Sequence, residues 1–541
     1  MGAEADRAVE RKIAFLSDGS SETASPSEVG SKAANLMRMV AAGLPVPPGF
    51  VLGTEICADY HSGGGRLAAD VVALVEGGIR QIEELTHLRF GGSRRPLLVA
   101  VRSGAALSMP GMLDTILDVG LCDETLSGLL RATGDPVFVW DSYRRLILSY
   151  ALVVEGCGAG PFEVVLDDLL RRERAPVVGE LDVAALRELV ARYQQVYRTQ
   201  VGHPFPQQPM DQLLGAVEAV LRSWNAPRAV EYRRLRQLSG LRGTAVTVQA
   251  MVFGNTGGTS GSGVGFTRDP TTGDNRLYVD FLLDSQGEDV VAGRHGAQEP
   301  ERLVAAIPGL AHELQRVRRT LELNFGDVQD FEFTVEDANL WILQTRAAKP
   351  AAWAALRIAC DLVEEGIIDQ ATALQRLSAF DLDEIRRVRL DPALDAHPLA
   401  RATPASSGVA VGRVALSVES ALRLSADGEP VVLVRQEAST DDIAALAECQ
   451  GFVTATGART AHAAVVARQL GVTCLVDCRD LAIDAASATM DLAGRMLREG
   501  DLVTVDGSDG CIYEGALDLV EERPTELVAR VRGWEGEAAA S

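Results

Sequence analysis

Residues 454–468, TATGARTAHAAVVAR, constrain this chain more than any other stretch. An apolar approach ends in a turn of small residues, an alanine-rich helix-forming run begins, and His462 stands at the junction. An imidazole so placed meets the unpaired N–H groups and the positive dipole end of a helix N-terminus. Both favour an anion and hold the ring neutral, which leaves one ring nitrogen nucleophilic. A phosphoryl group is the anion such a place suits. Local chemistry alone also describes a packed or surface histidine, so the rest of the chain has to decide.

The 541 residues are enough for roughly two to four domains, and 47% apolar with 23% charged residues is ordinary for a globular protein. A net charge of −23 argues against non-specific binding to nucleic acid or to an anionic membrane, since both need a basic surface. Any phosphate site must therefore be locally basic. The eight cysteines, at 57, 122, 157, 360, 449, 474, 478 and 511, form no CxxC pair and no zinc-type cluster with histidine, and read as reduced, buried small residues. The first thirty residues lack an apolar signal core, and no stretch reaches about 18 uncharged apolar residues. Neither export nor a membrane span is expected, and a bacterial-type cytoplasm is the default.

Residues 28–40, EVGSKAANLMRMV, read as a turn feeding an amphipathic helix that stops at Gly43, with Lys32 in its first turn. A lysine close to a glycine at a helix start suits a phosphate contact, although a solvated charge is the commoner reading. Residues 96–112 make a buried strand that runs into a small-residue loop and carries Arg102, whose planar fork suits either a polyphosphate or a structural ion pair. Residues 135–236 turn helical and look like packing material. Residues 244–253 alternate as a strand and lead into 254–270, GNTGGTSGSGVGFTRDP, whose glycines suit a phosphate cradle or a flexible hairpin, but no Walker motif ends it.

Residues 330–336, DFEFTVE, and 340–346, LWILQTR, alternate as two strands around a turn near residues 337–339. Period two places Asp330, Glu332 and Thr334 on one face, and Gln344 and Arg346 on one face of the partner strand. Acids, an amide and a guanidinium amid apolar strands are costly unless they bind something. A Mg2+ ion held by Glu332 and the Gln344 oxygen, with Arg346 on phosphate, would satisfy them, and a surface ion-pair ladder is the alternative. Residues 351–400 read as a helical linker. A unit of short strands separated by helices follows, with strands near 408–416, 430–434, 451–454, 473–476 and 502–505. After Val520 the tail reads as polar and frayed.

Taken in order, the stretches GLPVPPGF, VRSGAALSMPGMLDT, WDSYRRLI, TAVTVQAMVFGN, SGSGVGFTRDP, SQGEDVVAG, VQDFEFTVE, LQTRAAK and TAHAAVVAR resemble the pyruvate, phosphate dikinase family of PEP-utilising enzymes. The resemblance implies an α/β multidomain fold. Its parts are an ATP-grasp nucleotide-binding domain with a helical insertion over 1–350, a helical linker over 351–400, a swivelling phosphohistidine domain over 401–520 and a polar tail over 521–541. In that chemistry the histidine takes a pyrophosphoryl group from ATP, inorganic phosphate removes the γ-phosphoryl, and the phosphohistidine travels to an acceptor site. Carried over residue by residue, the resemblance makes His462 the phosphorylated nucleophile and Lys32 and Arg102 polyphosphate ligands. Asp330 and Arg346 become nucleotide-site residues, and Glu332 with Gln344 magnesium ligands.

The family's Gly-Gly-Met-Thr-Ser-His approach is here Gly457-Ala-Arg-Thr-Ala-His462. Thr460, a regulatory phosphorylation site in some plant members, survives, whereas Arg459 and Ala461 replace methionine and serine. Full members continue into a PEP/pyruvate-binding (β/α)8 barrel, and this sequence stops after the histidine domain. The expectation is therefore a phosphotransferase that uses ATP and inorganic phosphate and hands the group to a small molecule or a separate acceptor protein, with a homodimer left open and no nucleic acid or membrane partner. Two other readings stand beside it. An ATP-grasp ligase making an acyl-phosphate would leave His462 incidental, which its motif argues against. A non-catalytic partner regulating a full-length dikinase is opposed by the ATP-site residues.

Overall fold

The computed structural model describes residues 13–16, 24–107, 109, 113–238, 240–286, 307–439, 442–457, 462–484 and 487–540. It divides into one unit of Met1–Thr256 with Trp341–Gln344 and a second of Gly257–Leu340 with Thr345–Ser541.

The strands of the first unit are β1 (Ile13–Leu16), β2 (Gly49–Leu52), the short parallel pair β3 (Arg89–Phe90) and β4 (Pro96–Leu97), then β5 (Val99–Ala105), β6 (Thr115–Val119) and β7 (Thr244–Ala250). Five of them form an antiparallel sheet in the order β1-β2-β7-β5-β6. The alternation of β7 would suit one wet face, yet every residue in it is buried, because the strand is central and both of its faces are covered. Its polar groups are paired accordingly. Gly104 N donates to Thr244 Oγ1 (3.2 Å) and Gln249 Nε2 donates to the Pro47 carbonyl (3.0 Å). The helical pattern over 135–236 becomes the helices Pro136–Val153, Gly160–Glu173, Val183–Val201, Pro209–Ser223 and Pro227–Leu235. Tyr143, Tyr150, Tyr197 and Phe205 interlock edge-to-face or tilted within their core.

The helix Pro26–Ala41 is broken at Gly30, whose φ of 79° lies in the left-handed region, so Lys32 stands where the regular helix begins. A Cβ on Gly30 would fall 2.3 Å from the Gly104 carbonyl oxygen of β5. The helix start and the strand therefore cross at backbone contact, and Ser31 Oγ adds a hydrogen bond to the Ala105 carbonyl (3.1 Å).

The second unit contains β8 (Gly261–Phe266), β9 (Tyr278–Leu283), β10 (Gln329–Glu336) and β11 (Asn339–Ala347), in the order β11-β10-β8-β9. Asp337 and Ala338 both have positive φ, 48° and 64°, as a tight two-residue hairpin turn requires. Six residues of the glycine-rich segment, Gly261–Phe266, are thus strand. A Cβ at Gly261, Gly263 or Gly265 would lie 2.2–2.4 Å from the rings of Phe281, Phe333 and Phe331 respectively. These glycines make room for phenylalanines on the neighbouring strands, a packing role. Beyond β8, Arg268 is fully buried and binds Glu322 of the helix Leu310–Phe325 through two hydrogen bonds of 3.0 Å, and Glu365 at 2.7 Å.

Glu365 caps the helix Ala352–Glu364. That helix shares a core with Gln370–Leu377 and with the chain's last helix, Thr525–Ala540. The expected frayed tail is corrected here: Val531 and Trp534 are buried, and β12 (Arg387–Leu390) pairs antiparallel with β24 (Leu519–Glu522). Leu527, Val528, Val531 and Trp534 recur at helical spacing among the charges, and the helices at 352–377 supply the surface they cover.

Between those elements lie β13 (Ala400–Arg401), β14 (Thr403–Ser406), β15 (Val409–Ala415), β16 (Val431–Arg435), β17 (Gly451–Thr454), β18 (Thr473–Val476), β19 (Leu481–Asp484), β20 (Thr489–Leu492), β21 (Arg495–Arg498), β22 (Leu502–Asp506) and β23 (Cys511–Glu514). Eight form one sheet, β13-β23-β22-β15-β16-β17-β18-β14, in which β15 to β18 run parallel. One face packs on helices that include His462–Leu470, and the other on a core completed by the small β19-β20-β21 sheet. Burial on both faces is why these strands read as continuous apolar runs.

Gly30→Ala should lower the thermal midpoint of the purified chain by several degrees, because the new Cβ meets both a left-handed φ and a backbone oxygen. Gly43→Ala is the control, with φ 74° but nothing within 4 Å of its Cβ. Calorimetry of the two variants checks this, and equal shifts would place the cost in φ alone.

Candidate functional site

In the first unit, Lys32 and Arg102 flank one crossing. Gly30 touches Gly104, Lys32 lies two residues on along the helix, and Arg102 lies two residues back along β5, opposite Thr247 and Thr115. Both side chains are half-buried, and both already engage other groups. The crossing therefore concentrates two cations in a strongly acidic chain.

In the second unit, the β10–β11 hairpin brings Asp330 and Arg346 together, with Arg346 Nε donating to Asp330 Oδ2 at 2.7 Å. Thr345 Oγ1 braces the pair by donating to the Asp330 carbonyl at 3.1 Å. Asp330 is only 6% exposed, and burial pushes its carboxyl above the ordinary range against the pull of Arg346. Glu332, two residues on, is half-buried and alternates to the same face of β10. Gln344 and Arg346 alternate to one side of β11, but the segment Trp341–Gln344 counts with the first unit, where Ile342 N donates to the Pro45 carbonyl at 2.7 Å.

Among the described residues no group of three or more His, Cys, Asp or Glu side chains could hold a metal by itself. Glu332 and Gln344 offer one carboxylate and one amide oxygen. Each is a hard donor of the kind Mg2+ takes, and neither by itself makes a protein cage.

His462 is the first residue of the helix His462–Leu470, which joins parallel strands β17 and β18 in a βαβ crossover. The helix thus starts just beyond the carboxyl end of a parallel strand, where open α/β sheets bind anions. The His462 side chain, with Arg459, Thr460 and Ala461, lies outside the described residues, as does the SQGEDVVAG stretch beyond Gln286. At the foot of this loop, Gly457 has φ 138°, and the Thr454 hydroxyl is buried with no hydrogen-bond partner among the described residues.

Sequence reasoning missed the other end of that helix. Arg468 is buried, donates Nε and Nη2 to the Ala405 carbonyl (2.9 and 2.7 Å), and stands 5.7 Å over the Phe266 ring of β8. Its charge also acts on Asp330. Its place as the last letter of TAHAAVVAR was visible, but its partners are remote in sequence.

The raised pKa of Asp330 carries a sign. Folding favours its protonated form, so the ionised carboxylate costs stability, and that cost grows as pH rises from the unfolded value near 3.8 through the higher folded one. Asp330→Asn, neutral and nearly isosteric, should therefore raise the thermal midpoint of the nucleotide-free protein by a few degrees at pH 7, with the difference vanishing below about pH 4. A midpoint lowered at pH 7 would mean that the ion pair with Arg346 outweighs burial.

Comparison with known proteins matches residues 67–306 to the pyruvate phosphate dikinase AMP/ATP-binding domain and residues 427–510 to the mobile domain of PEP-utilising enzymes. Arg102 falls in the first match and His462 in the second. A pyruvate, phosphate dikinase of Clostridium symbiosum is 41% identical over 509 residues, covering 94% of this chain and 58% of the relative. One of Rhizobium meliloti is 39% identical over 519 residues, with the same coverage. A chloroplastic one of Flaveria pringlei is 40% identical over 508 residues, 94% of this chain and 53% of its own length. The chain thus spans a little over half the length of these curated relatives. No helix among the described residues is long and apolar enough to cross a membrane. Both domain models match in order, and about 40% identity to pyruvate, phosphate dikinases runs over nearly the whole of this chain.

Proposed function

We propose that this chain is an ATP-dependent phosphotransferase that loads His462 from ATP and passes the phosphoryl group to an acceptor, either a small molecule or another protein. The fold we assign to this work is an ATP-grasp nucleotide-binding domain, a helical linker and a swivelling histidine domain in a cytoplasmic enzyme. The observation that carries the reading is that the helix headed by His462 packs, through Arg468 and Phe266, within the same unit as the Asp330–Arg346 pair.

A neutral imidazole nitrogen attacks the β-phosphorus of ATP, the P–N bond forms, the bond between the β-phosphorus and the α,β-bridging oxygen breaks, and AMP leaves carrying that oxygen. Inorganic phosphate then attacks the γ-phosphorus and departs as pyrophosphate, and one phosphoryl group stays on the ring. The N-terminal N–H groups of the 462–470 helix suit the dianion that results. Lys32 and Arg102 would bind polyphosphate oxygens, and Arg346, oriented by Asp330, would bind another. Bound Mg2+, taken by Glu332 and Gln344, would neutralise phosphate charge. The relatives' name points to pyruvate as the final acceptor, and in this reading a barrel-type acceptor site supplies it. An acyl-phosphate-forming ligase would have no use for His462.

Incubation with Mg-ATP and phosphate, without pyruvate, should give an acid-labile, base-stable phosphoprotein labelled from the β-phosphate and hardly at all from the γ-phosphate, with AMP accumulating. His462→Ala should abolish labelling and leave nucleotide binding nearly intact. Labelling that survives this substitution, or ADP as the product, would overturn the assignment.

Glu332→Ala and Gln344→Ala should each slow labelling by roughly tenfold or more at fixed Mg2+, since a hard cation tolerates few ligand geometries. Excess Mg2+ should recover part of the loss. Full-rate labelling in both variants would remove them from the site.

A further inference from the structure

Three helices of the first unit enclose a cleft that lies apart from the residues assigned to phosphoryl transfer. Helix Asp123–Thr133 and helix Val183–Val201 both pack on helix Pro136–Val153, and between them they leave a space of about 640 Å3. Small-molecule sites typically measure roughly 300–1,000 Å3. The cleft lies at the other end of β6 from the Lys32–Arg102 crossing, since Arg102 pairs with Thr115 where the strand begins and Asp123 follows where it ends.

One end of the cleft is polar and rigidly built. The buried Tyr143 hydroxyl donates to Asp123 Oδ1 at 2.8 Å, and Gln194 Nε2 donates to the Tyr143 oxygen at 3.0 Å. Gln207 braces both, donating Nε2 to the same oxygen at 3.1 Å and accepting from the Asp123 N–H at 2.9 Å. Burial pushes the Tyr143 hydroxyl's pKa up, which keeps it a donor. Asp123 is thereby fixed with Oδ1 satisfied, and Oδ2 has no hydrogen bond among the described residues.

From that end, seven residues along each outer helix lead to Leu130 and Arg187, about 10 Å on. Arg187 is exposed, stands 5.3 Å over the half-buried Trp140 ring and forms no ion pair among the described residues. The adjacent Glu188 does not neutralise it, because Arg172 holds both of its oxygens, at 2.7 and 2.6 Å. Leu126, Val139 and Val190 make the wall between the two ends aliphatic.

The two ends select opposite groups. A guanidinium beside an indole takes a carboxylate in its fork while the ring packs on a planar apolar body. A fixed carboxylate oxygen at the far end takes a hydrogen-bond donor. A single amino acid or a short oxo acid carries its polar groups too close together to reach both. We propose that this cleft binds a hydroxyaryl carboxylate, with its acid group on Arg187, its ring between Trp140 and the aliphatic wall, and its hydroxyl on Asp123. The site is independent of the phosphotransferase reading.

Calorimetric titration of the full chain with para-hydroxyphenylpropionate tests this, with phenylpropionate, which lacks the donor, and tyramine, which lacks the acid, as comparators. The hydroxyaryl carboxylate should bind saturably at one site and raise the thermal midpoint. Each comparator should bind roughly tenfold or more weakly. Mg-ATP should not displace it. Arg187→Gln, at an exposed position, should weaken the hydroxyaryl carboxylate roughly tenfold and leave tyramine unchanged. Trp140→Leu should weaken all three compounds, and Asp123→Asn should narrow the difference between the phenolic acid and the plain one. Should either of these variants fail to fold, Arg187→Gln decides alone. No saturable heat with the hydroxyaryl carboxylate, equal binding of the three compounds, full-strength binding to the Arg187→Gln variant, or displacement by Mg-ATP would each overturn the site.

Discussion

Arg268 holds the second unit together. Its guanidinium has no exposed surface, and it reaches Glu322 on the 310–325 helix, Glu365 at the end of the 352–364 helix, and Asp361 at 3.6 Å. Taking such a charge out of water is expensive. The arrangement persists because carboxylates from two helices surround the cation, and removing one partner of a buried pair of this kind typically costs about 3–5 kcal/mol. The consequence is geometric: the end of β8, the 310–325 helix and the 352–364 helix are tied at one point, and the Asp330–Arg346 pair is built on that frame.

On this frame the sheet is packed by interleaving. Glycines alternate along β8 where the rings of Phe281, Phe331 and Phe333 need space, and Phe281 and Phe333 stack nearly parallel, at 9°. The polar residues of the hairpin are set against that apolar ground, and it explains why Asp330 is held at an energetic cost. The histidine, by contrast, sits on a cheap and regular element, a βαβ crossover between parallel strands covered on both faces.

Much of this was legible in the chain. The β10–β11 hairpin could be read because its period-two alternation and its Asp-Ala-Asn turn are local. The strands of the eight-stranded sheet could be read because burial on both faces leaves unbroken apolar runs. The last helix could have been found from Leu527, Val528, Val531 and Trp534, but glutamates and arginines between them masked the stripe until the helices at 352–377 were there to receive it. The glycines of β8 left two readings open for a physical reason. Residue type reports what a backbone is allowed to do, and it does not report whether the freed volume is for a ligand or for a neighbour's ring.

The sequence by itself determined the likeness to pyruvate, phosphate dikinases, the order of the two matched domains, the histidine at a helix start and the alternation that sorts Asp330, Glu332, Gln344 and Arg346 onto faces. All of these depend on residues within a few positions of one another, or on likeness along the whole chain. Only the tertiary structure decided that Arg346 closes on Asp330, that Arg268 is a buried knot, and that Arg468 lies over Phe266, 202 residues away along the chain. These are contacts between charges and rings whose meeting depends on how separate elements pack, and a guanidinium reads the same in sequence whether it ends in water, on a carboxylate or against a phenyl face.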